Sequence, residues 1–195
     1  MTETIRGRLV LPDGEVLGDL SVDDDGRIAT IEPDGTAPAD VVVVPGFIDV
    51  HVHGYGGHDA MGGPEALSGM SRALARHGVT SFLPTSVTAA YADLTEYAES
   101  VRRWMPGAPA DGAEPLGFNM EGPFLSEAKK GAHPADLLRD PADIDEATLE
   151  TFVEGLRIIT IAPELPGALE MIEALAGRGV RVSLGHSAAN AAQAR

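Results

Sequence analysis

Two histidines, His51 and His53, lie two residues apart in the segment PGFIDVHVHG, which spans residues 45–54. Side chains at this spacing leave the same face of a β-strand, with Cα atoms about 7 Å apart. Two imidazoles at that separation can tilt onto one divalent ion such as Zn²⁺, at nitrogen-to-metal distances of about 2 Å. The alternative is an ordinary strand with two polar residues facing water, which would leave both rings needing partners if the strand were buried. The pair therefore favours a metal site.

A glutamate and a third histidine each follow another apolar segment. Glu121 precedes the dipeptide Gly-Pro, and His186 follows the run VSLG. Taken singly, Glu121 could pair with a lysine of the following loop, and His186 could be a structural histidine. The carboxyl ends of parallel strands share one edge, however, and these side chains are all predicted at that edge. We therefore interpret His51, His53, Glu121 and His186 as metal ligands, with Glu121 able to bridge two ions.

The chemistry of such a centre is hydrolytic. A divalent ion held by histidine and carboxylate, with open positions, activates bound water and polarises a carbonyl oxygen, which suits the hydrolysis of an amide or ester. A carboxylate should then carry a proton to the leaving group. Asp49 shares the face of His51 and His53 but lies deeper in the strand, and no other aspartate ends a predicted strand. The residues themselves therefore leave the proton carrier unassigned.

The remaining histidines give weaker signals. His133 ends the loop segment KKGAH and could contact a substrate, although its spacing alone favours a surface loop. No spacing argument assigns a role to His58. His77 lies at a predicted helix end, where a cation interacts favourably with the helix dipole, so we interpret it as structural.

The elements that must position these residues fall into two parts. The first 45 residues contain short strand-like runs separated by turns rich in Pro, Asp and Gly, which predicts a small antiparallel β unit. The predicted strands there are 4–11, 15–22, 27–31 and 41–44. From residue 46, apolar strands alternate with helical segments, which predicts a parallel sheet with helices outside it. The predicted strands are 46–53, 79–84, 115–121, 157–162 and 180–185, and the predicted helices are 64–77, 90–105, 143–154 and 165–178.

Helical spacing also predicts which faces are buried. Leu67, Met70 and Leu74 form one apolar face, and Leu169, Ile172 and Ala176 repeat that spacing near the end of the chain. The 150 residues that follow the β unit hold about five βα units, whereas a closed (β/α)₈ barrel needs about 250 residues. The pattern is therefore that of an open doubly wound sheet or of the first part of a barrel.

Composition excludes several classes of function. The 195 residues include 30 acidic and 14 basic side chains, giving a formal net charge of −16, and they contain no cysteine. Disulfides and thiolate metal sites are thereby excluded, and the negative charge argues against binding to nucleic acid or to anionic membranes. The N-terminus has no signal-like pattern and no run reaches about 20 apolar residues, so we expect a cytoplasmic protein.

Several segments resemble the amidohydrolase superfamily and, within it, the N-acetylglucosamine-6-phosphate deacetylases. Residues 45–54 are typical of the superfamily as a whole, whereas MEGPF at 120–124 and KKGAH at 129–133 are more specific to the deacetylases. GVTSFLPT at 78–85, APE at 162–164 and GHS at 185–187 also resemble segments of that family. The similarity runs through nearly the whole chain.

The resemblance implies an α/β fold, a partial (β/α)₈ TIM-like barrel of about five βα units over residues 46–195, beside a partial small β-sandwich domain over residues 1–45. It implies metal-dependent removal of acetate from an amino-sugar phosphate, with zinc as the first choice of one or two divalent ions. Glu121 and His186 match the principal metal ligands, and His51 with His53 match the pair that holds a second metal.

Further expectations follow from the same resemblance. Ala132 and His133 match the loop that contacts the sugar, and the general acid/base aspartate is expected on a later strand beyond Arg195. Full-length members are expected to form homodimers, without nucleic-acid or membrane partners.

Two alternatives stay open from the sequence. One is another amidohydrolase that acts on cyclic amides, such as a relative of the dihydroorotases or hydantoinases. Such enzymes use a carboxylated lysine on a later strand, and the Glu-Gly-Pro segment at 121–123 argues against that assignment. The other is a metal-binding segment without catalytic activity.

Overall fold

The computed structural model describes residues 3–194, and the chain divides after Gly46 into two compact units. The first unit is a four-stranded sheet with the spatial order β3-β2-β1-β4. Its strands are β1 (Glu3–Leu11), β2 (Gly14–Val22), β3 (Ile28–Pro33) and β4 (Val42–Val43). The four strands predicted from the turn pattern are all present, and the division lies one residue from the predicted change of pattern.

The expectation that this unit is purely antiparallel is wrong for its last strand. β1 pairs with β2 and β2 pairs with β3 in antiparallel fashion, but β4 lies parallel to β1. The residues between β3 and β4 are long enough to carry the chain past β2 to the free edge of β1, so they form a crossover instead of a hairpin. Asp34 begins this crossover by accepting a hydrogen bond from the backbone N–H of Thr36 at 2.8 Å.

The second unit is a parallel sheet flanked by helices. Its main strands are β5 (Phe47–Val52), β8 (Val79–Ser86), β10 (Phe118–Glu121), β11 (Leu156–Ile161) and β12 (Arg181–Leu184). The helices are α1 (Gly63–Ala75), α2 (Tyr91–Trp104), α3 (Glu146–Val153) and α4 (Ala168–Gly177). Three minor strands accompany them, namely β6 (Gly54–Tyr55) and β7 (His58–Asp59), which form a hairpin, and β9 (Glu114–Pro115), which pairs with β8. Short 3₁₀ turns cover Met105–Gly107, Glu127–Lys129, Ala135–Leu137 and Pro141–Asp143.

The strand order decides between the two architectures predicted for this unit. The five main strands lie side by side in chain order, and each pairs with its neighbour in parallel. A doubly wound sheet reverses its strand order at a switch point, whereas a (β/α) barrel adds each strand next to the previous one. The unit is therefore a partial TIM-like barrel, as the resemblance implied, and the doubly wound alternative is wrong.

The predicted apolar face is correct for α1 but shifted by one residue in α4. Leu67, Met70 and Leu74 are buried in the core beneath α1. In α4 the buried residues are Ala168, Met171 and Leu175, whereas Leu169 is 63% exposed. Both sets have the same helical spacing and both are apolar, so periodicity could not choose between them. None of the helices within residues 3–194 is long and apolar enough to cross a bilayer.

Two tyrosines of α2 provide a matched test of the core. The Tyr97 hydroxyl donates a hydrogen bond to the carbonyl oxygen of Pro84 at 2.6 Å, and burial raises the pKa of Tyr97 well above its ordinary value. The buried Tyr91 hydroxyl has no hydrogen-bond partner within the described residues. Tyr97→Phe should therefore lower the free energy of unfolding by roughly 1–2 kcal/mol, because the carbonyl oxygen of Pro84 loses its hydrogen-bond donor.

Tyr91→Phe is the control for that substitution, since it removes a hydroxyl that makes no bond. It should leave the free energy of unfolding unchanged or slightly raised. Urea unfolding of both variants measures the difference, and equal losses for the two would contradict the assignment of the Tyr97 hydrogen bond.

Candidate metal centre

The four predicted ligands converge on one edge of the parallel sheet. His51 lies in β5 and His53 directly after it, Glu121 is the last residue of β10, and His186 follows β12 by two residues. Each strand ends at the same edge because the strands are parallel, so His51 and His186, which are 135 positions apart in the chain, both approach Glu121. The sequence-based grouping of these four residues agrees with the geometry.

Glu121 is the centre of the cluster. Its side chain is only 12% exposed. Its Oε2 lies 2.9 Å from His53 Nε2 and 3.5 Å from His51 Nε2, whereas its Oε1 lies 3.0 Å from His186 Nε2. The Nε2 atoms of His51 and His53 are 3.2 Å apart. The two carboxylate oxygens thus face different histidines, which is the arrangement that a bridging carboxylate between two ions requires.

Backbone carbonyls fix the tautomers of two of these histidines. His53 Nδ1 lies 3.1 Å from the carbonyl oxygen of Thr85, and His186 Nδ1 lies 2.8 Å from that of Lys129. Because a carbonyl can only accept, each Nδ1 must carry the proton, and in the neutral ring Nε2 then presents a lone pair. Both lone pairs point at oxygens of Glu121.

Facing lone pairs repel unless a cation lies between them. A divalent metal satisfies the Nε2 atoms and the carboxylate together, and metal-binding histidines commonly donate their other ring N–H to a carbonyl in this way. The described residues therefore fit a divalent ion. They form two ligand groups that share Glu121, one with His51 and His53 and the other with His133 and His186.

His133 belongs to the cluster but has the opposite tautomer. The backbone N–H of Thr88 donates to His133 Nδ1 at 3.2 Å, so the proton of the neutral ring lies on Nε2. That Nε2 is 3.3 Å from Glu121 Oε2, where it can donate a hydrogen bond. Unlike His53 and His186, His133 is satisfied here without a metal ion.

The charge states of the centre follow from its surroundings. Burial raises the pKa of Glu121, but the four neighbouring histidines lower it more, and the net pKa lies below its ordinary value. Burial lowers the pKa of His133 and outweighs the opposing effect of Glu121. Glu121 is thus a carboxylate and His133 a neutral donor at neutral pH.

A cavity of about 330 Å³ opens beside the cluster. Seven residues line it, namely His53, Val87, Glu121, Ala132, His133, Pro134 and His186. Ala132 and His133, for which the resemblance implied a sugar contact, both line this cavity. The side chain of His133 is only 7% exposed, so the surface-loop interpretation from spacing is wrong. A cavity of this volume suits a small molecule.

The other titratable candidates lie outside the centre. Asp49 Oδ1 accepts the backbone N–H of His51 at 3.1 Å, within its own strand. Among residues 3–194, no aspartate takes part in the side-chain hydrogen bonds and ion pairs of the cluster. His77 packs edge-to-face against Tyr55, with ring centroids 5.6 Å apart, which agrees with a structural role. The imidazole of His58 lies against the backbone of Gly69 on α1.

Sequence reasoning missed the polar side chains that hold the ligand strands in register. Thr85 Oγ1 accepts the backbone N–H of Val52 at 3.0 Å. Asn119 donates from Nδ2 to the carbonyl oxygen of Val50 at 2.8 Å, reaching across the intervening strand. These bonds brace β5 around His51, where its pairing with β8 is irregular. The available signal was position alone, because both are polar residues near the carboxyl end of a strand.

Comparison with known proteins agrees with this geometry. Residues 42–192 match the amidohydrolase family. N-acetylgalactosamine-6-phosphate deacetylase of Escherichia coli O157:H7 is 39% identical over 100% of this chain and 53% of its own length. N-acetylglucosamine-6-phosphate deacetylase of Vibrio furnissii is 39% identical over 90% of this chain and 46% of its own length.

Solved structures give the same result. N-acetylglucosamine-6-phosphate deacetylase from Thermotoga maritima superposes with a TM-score of 0.87 at 31% identity, over 98% of this chain and 50% of its own. A mutant enzyme of that name from Mycobacterium smegmatis, solved in complex with N-acetyl-D-glucosamine-6-phosphate, superposes with a TM-score of 0.81 at 30% identity, over 98% of this chain and 51% of its own. This chain therefore spans about half the length of the curated relatives it matches. The family match over residues 42–192 shows that the chain belongs to the amidohydrolase family, whose members depend on metal ions.

Proposed function

We propose that this chain supplies the metal centre and part of the substrate pocket of a deacetylase that converts N-acetylglucosamine 6-phosphate to glucosamine 6-phosphate and acetate. The observation that carries the proposal is the pair of carbonyl-anchored histidines, His53 and His186, whose Nε2 lone pairs face Glu121. That arrangement fits a divalent cation, and relatives with 30% identity or more are named deacetylases of acetamido sugar phosphates. A divalent ion bound there would activate water and polarise the acetamide carbonyl.

The chain's own residues then have distinct tasks in the proposal. Glu121 holds its negative charge between the two ligand groups, and His51, His53 and His186 offer neutral nitrogens. His133 donates from Nε2 to the carbonyl oxygen as negative charge develops on it. Ala132 lies on the cavity wall beside it and contacts the sugar. The proton that reaches the departing amine comes from an aspartate on a later strand, beyond Arg195.

Zinc is the ion we propose. Histidine nitrogen and carboxylate oxygen are common zinc ligands, and the absence of cysteine leaves these two ligand types as the strong donors. His51 and His53 face one oxygen of Glu121 and His186 faces the other, so these ligands accommodate one or two ions.

The assay that tests the function measures acetate release from N-acetylglucosamine 6-phosphate by the complete protein in which this sequence occurs. We expect a chelator to abolish release and Zn²⁺ to restore it. Hydrolysis that survives complete removal of metal would contradict the proposal. Dihydroorotate and hydantoin serve as cyclic-amide controls, and preferential hydrolysis of either would favour the cyclic-amide alternative.

A second substrate has a specific observation in its favour. The Escherichia coli O157:H7 relative, which matches all of this chain, is named for N-acetylgalactosamine 6-phosphate. The two sugars differ only in the configuration of one hydroxyl, so both present the same acetamide to the metal centre. The ratio of kcat/KM for the two substrates decides which one the complete protein prefers.

Metal binding should weaken as the pH falls. Each ligand imidazole must be neutral to bind a metal, so protons compete with the ion in acid. Zinc affinity should therefore fall steadily as the pH is lowered. Competition with a chelator measures this change, once the data are corrected for protonation of the chelator itself. An affinity that does not depend on pH would exclude histidine ligands.

The proposal extends to compartment and partners. A sugar phosphate is a charged molecule that does not cross a bilayer readily, so we place the reaction in the cytoplasm. The complete protein is proposed to be a homodimer without nucleic-acid or membrane partners, in keeping with the net charge of −16.

A further inference from the structure

A second glutamate, Glu164, lies close to the metal centre but does not line its cavity. It belongs to the loop between β11 and α4. Its Oε2 accepts a hydrogen bond from the Ser187 hydroxyl at 2.6 Å, and its Oε1 accepts one from the backbone N–H of Ala188 at 2.5 Å. The Ser187 hydroxyl oxygen in turn accepts the backbone N–H of Ala189 at 2.8 Å. One carboxylate thus fixes the segment that directly follows the ligand His186.

That segment needs to be held, because His186 has an unusual backbone conformation. Its φ is +49°, and among the described residues it is the one non-glycine residue with a positive φ. A residue other than glycine adopts this left-handed backbone conformation only when its surroundings compensate for the strain. On the preceding side, the backbone N–H of Gly185 donates to the carbonyl oxygen of Ile161 at 3.4 Å, and the carbonyl oxygen of His186 itself accepts the backbone N–H of Ser126 at 2.9 Å. On the following side, the restraint comes from Glu164.

We propose that Glu164 is a positioning residue for the metal centre. By binding Ser187 and Ala188 it keeps the backbone of His186 left-handed, and this conformation directs His186 Nε2 toward Glu121. The inference rests on the proposed function, because that function requires the metal site in which Glu164 positions a ligand. Glu164 acts through His186 and not through contact with metal or substrate.

The arrangement specifically requires a carboxylate. Glu164 meets two donors with two acceptor oxygens, whereas glutamine would turn its NH₂ group toward either the Ser187 hydroxyl or the Ala188 N–H. Burial raises the pKa of Glu164, but hydrogen bonds from Ser187, Ala188, its own backbone N–H and the Ser126 side chain together lower it more, and the net pKa lies below its ordinary value. The ionised form therefore dominates at neutral pH, which strengthens both bonds.

Cobalt binding tests the proposal without relying on activity. Co²⁺ takes the same ligands as zinc and reports their geometry through its visible absorption spectrum. Glu164→Gln and Ser187→Ala should each weaken Co²⁺ binding by about 10-fold or more, the usual effect of losing a partner that orients a ligand. Both variants should also alter the spectrum of the bound ion. Ser187→Thr keeps the hydroxyl and should restore affinity and spectrum, while Glu173→Gln on the exposed face of α4 is the matched control.

The double variant separates positioning from general destabilisation. If Glu164 and Ser187 act through one shared contact, removing both should cost little more affinity than removing either one. Additive losses, or single variants that bind Co²⁺ with unchanged affinity and spectrum, would overturn the proposal. If Glu164→Gln does not fold, the comparison of Ser187→Ala with Ser187→Thr tests the same contact at its serine partner. Failure of the unmodified chain to bind Co²⁺ would instead overturn the proposed metal centre, and the positioning role of Glu164 with it.

Discussion

Glu121→Gln should weaken zinc binding by about 100-fold or more, a larger effect than that expected for any residue that only orients a ligand. Within residues 3–194, Glu121 is the one carboxylate that meets His51, His53, His133 and His186. Glutamine is nearly the same size, but it removes the negative charge and replaces one acceptor oxygen by an NH₂ donor. A donor cannot bind a cation, so at least one of the two ligand groups loses its shared oxygen.

The measurement combines affinity and stability. Zinc that binds the folded chain raises the unfolding midpoint with the logarithm of the ratio of free zinc to Kd. At free zinc about tenfold above the Kd of the unmodified protein, this increase should nearly vanish in Glu121→Gln. Glu127→Gln, at an exposed position six residues later, removes the same charge outside the centre and should leave both quantities unchanged. Unaltered zinc stoichiometry and affinity in Glu121→Gln would refute its assignment as a ligand.

Much of this centre could be predicted because it depends on strand geometry. His51 and His53 share a face through the two-residue repeat of a strand, and parallel strands bring Glu121 and His186 to the same edge. Neither rule needs knowledge of distant contacts. The same holds for the five main strands and four helices, whose apolar patterns are strong and local.

What could not be predicted depends on contacts between distant segments. The buried face of α4 differs from the predicted one by a single residue, a choice that packing makes between two equivalent apolar faces. The tautomer of His133 is set by the backbone N–H of Thr88, 45 residues away. Glu164 similarly meets Ser187 across 23 residues. Such pairs have no spacing rule, and only the folded chain reveals them.

His133 is expected to act in catalysis as a hydrogen-bond donor and not as a metal ligand. In the complete protein, His133→Ala should lower kcat by about 10²- to 10³-fold, the usual cost of removing a donor to the developing oxyanion. The metal content should not change. The reason lies in the tautomer, because the Thr88 N–H occupies Nδ1 and leaves a proton, not a lone pair, on Nε2.

His186→Ala provides the contrast. His186 has its proton on Nδ1, bound to the carbonyl oxygen of Lys129, so its Nε2 is free to bind metal and its loss should remove bound zinc. His77→Ala, at the histidine packed on Tyr55, should change neither kcat nor metal content. Zinc analysis and acetate release on the three variants together distinguish a ligand, a donor and a structural histidine. Loss of zinc in His133→Ala would mean that its ring turns over on metal binding, breaks the bond from Thr88 and becomes a ligand.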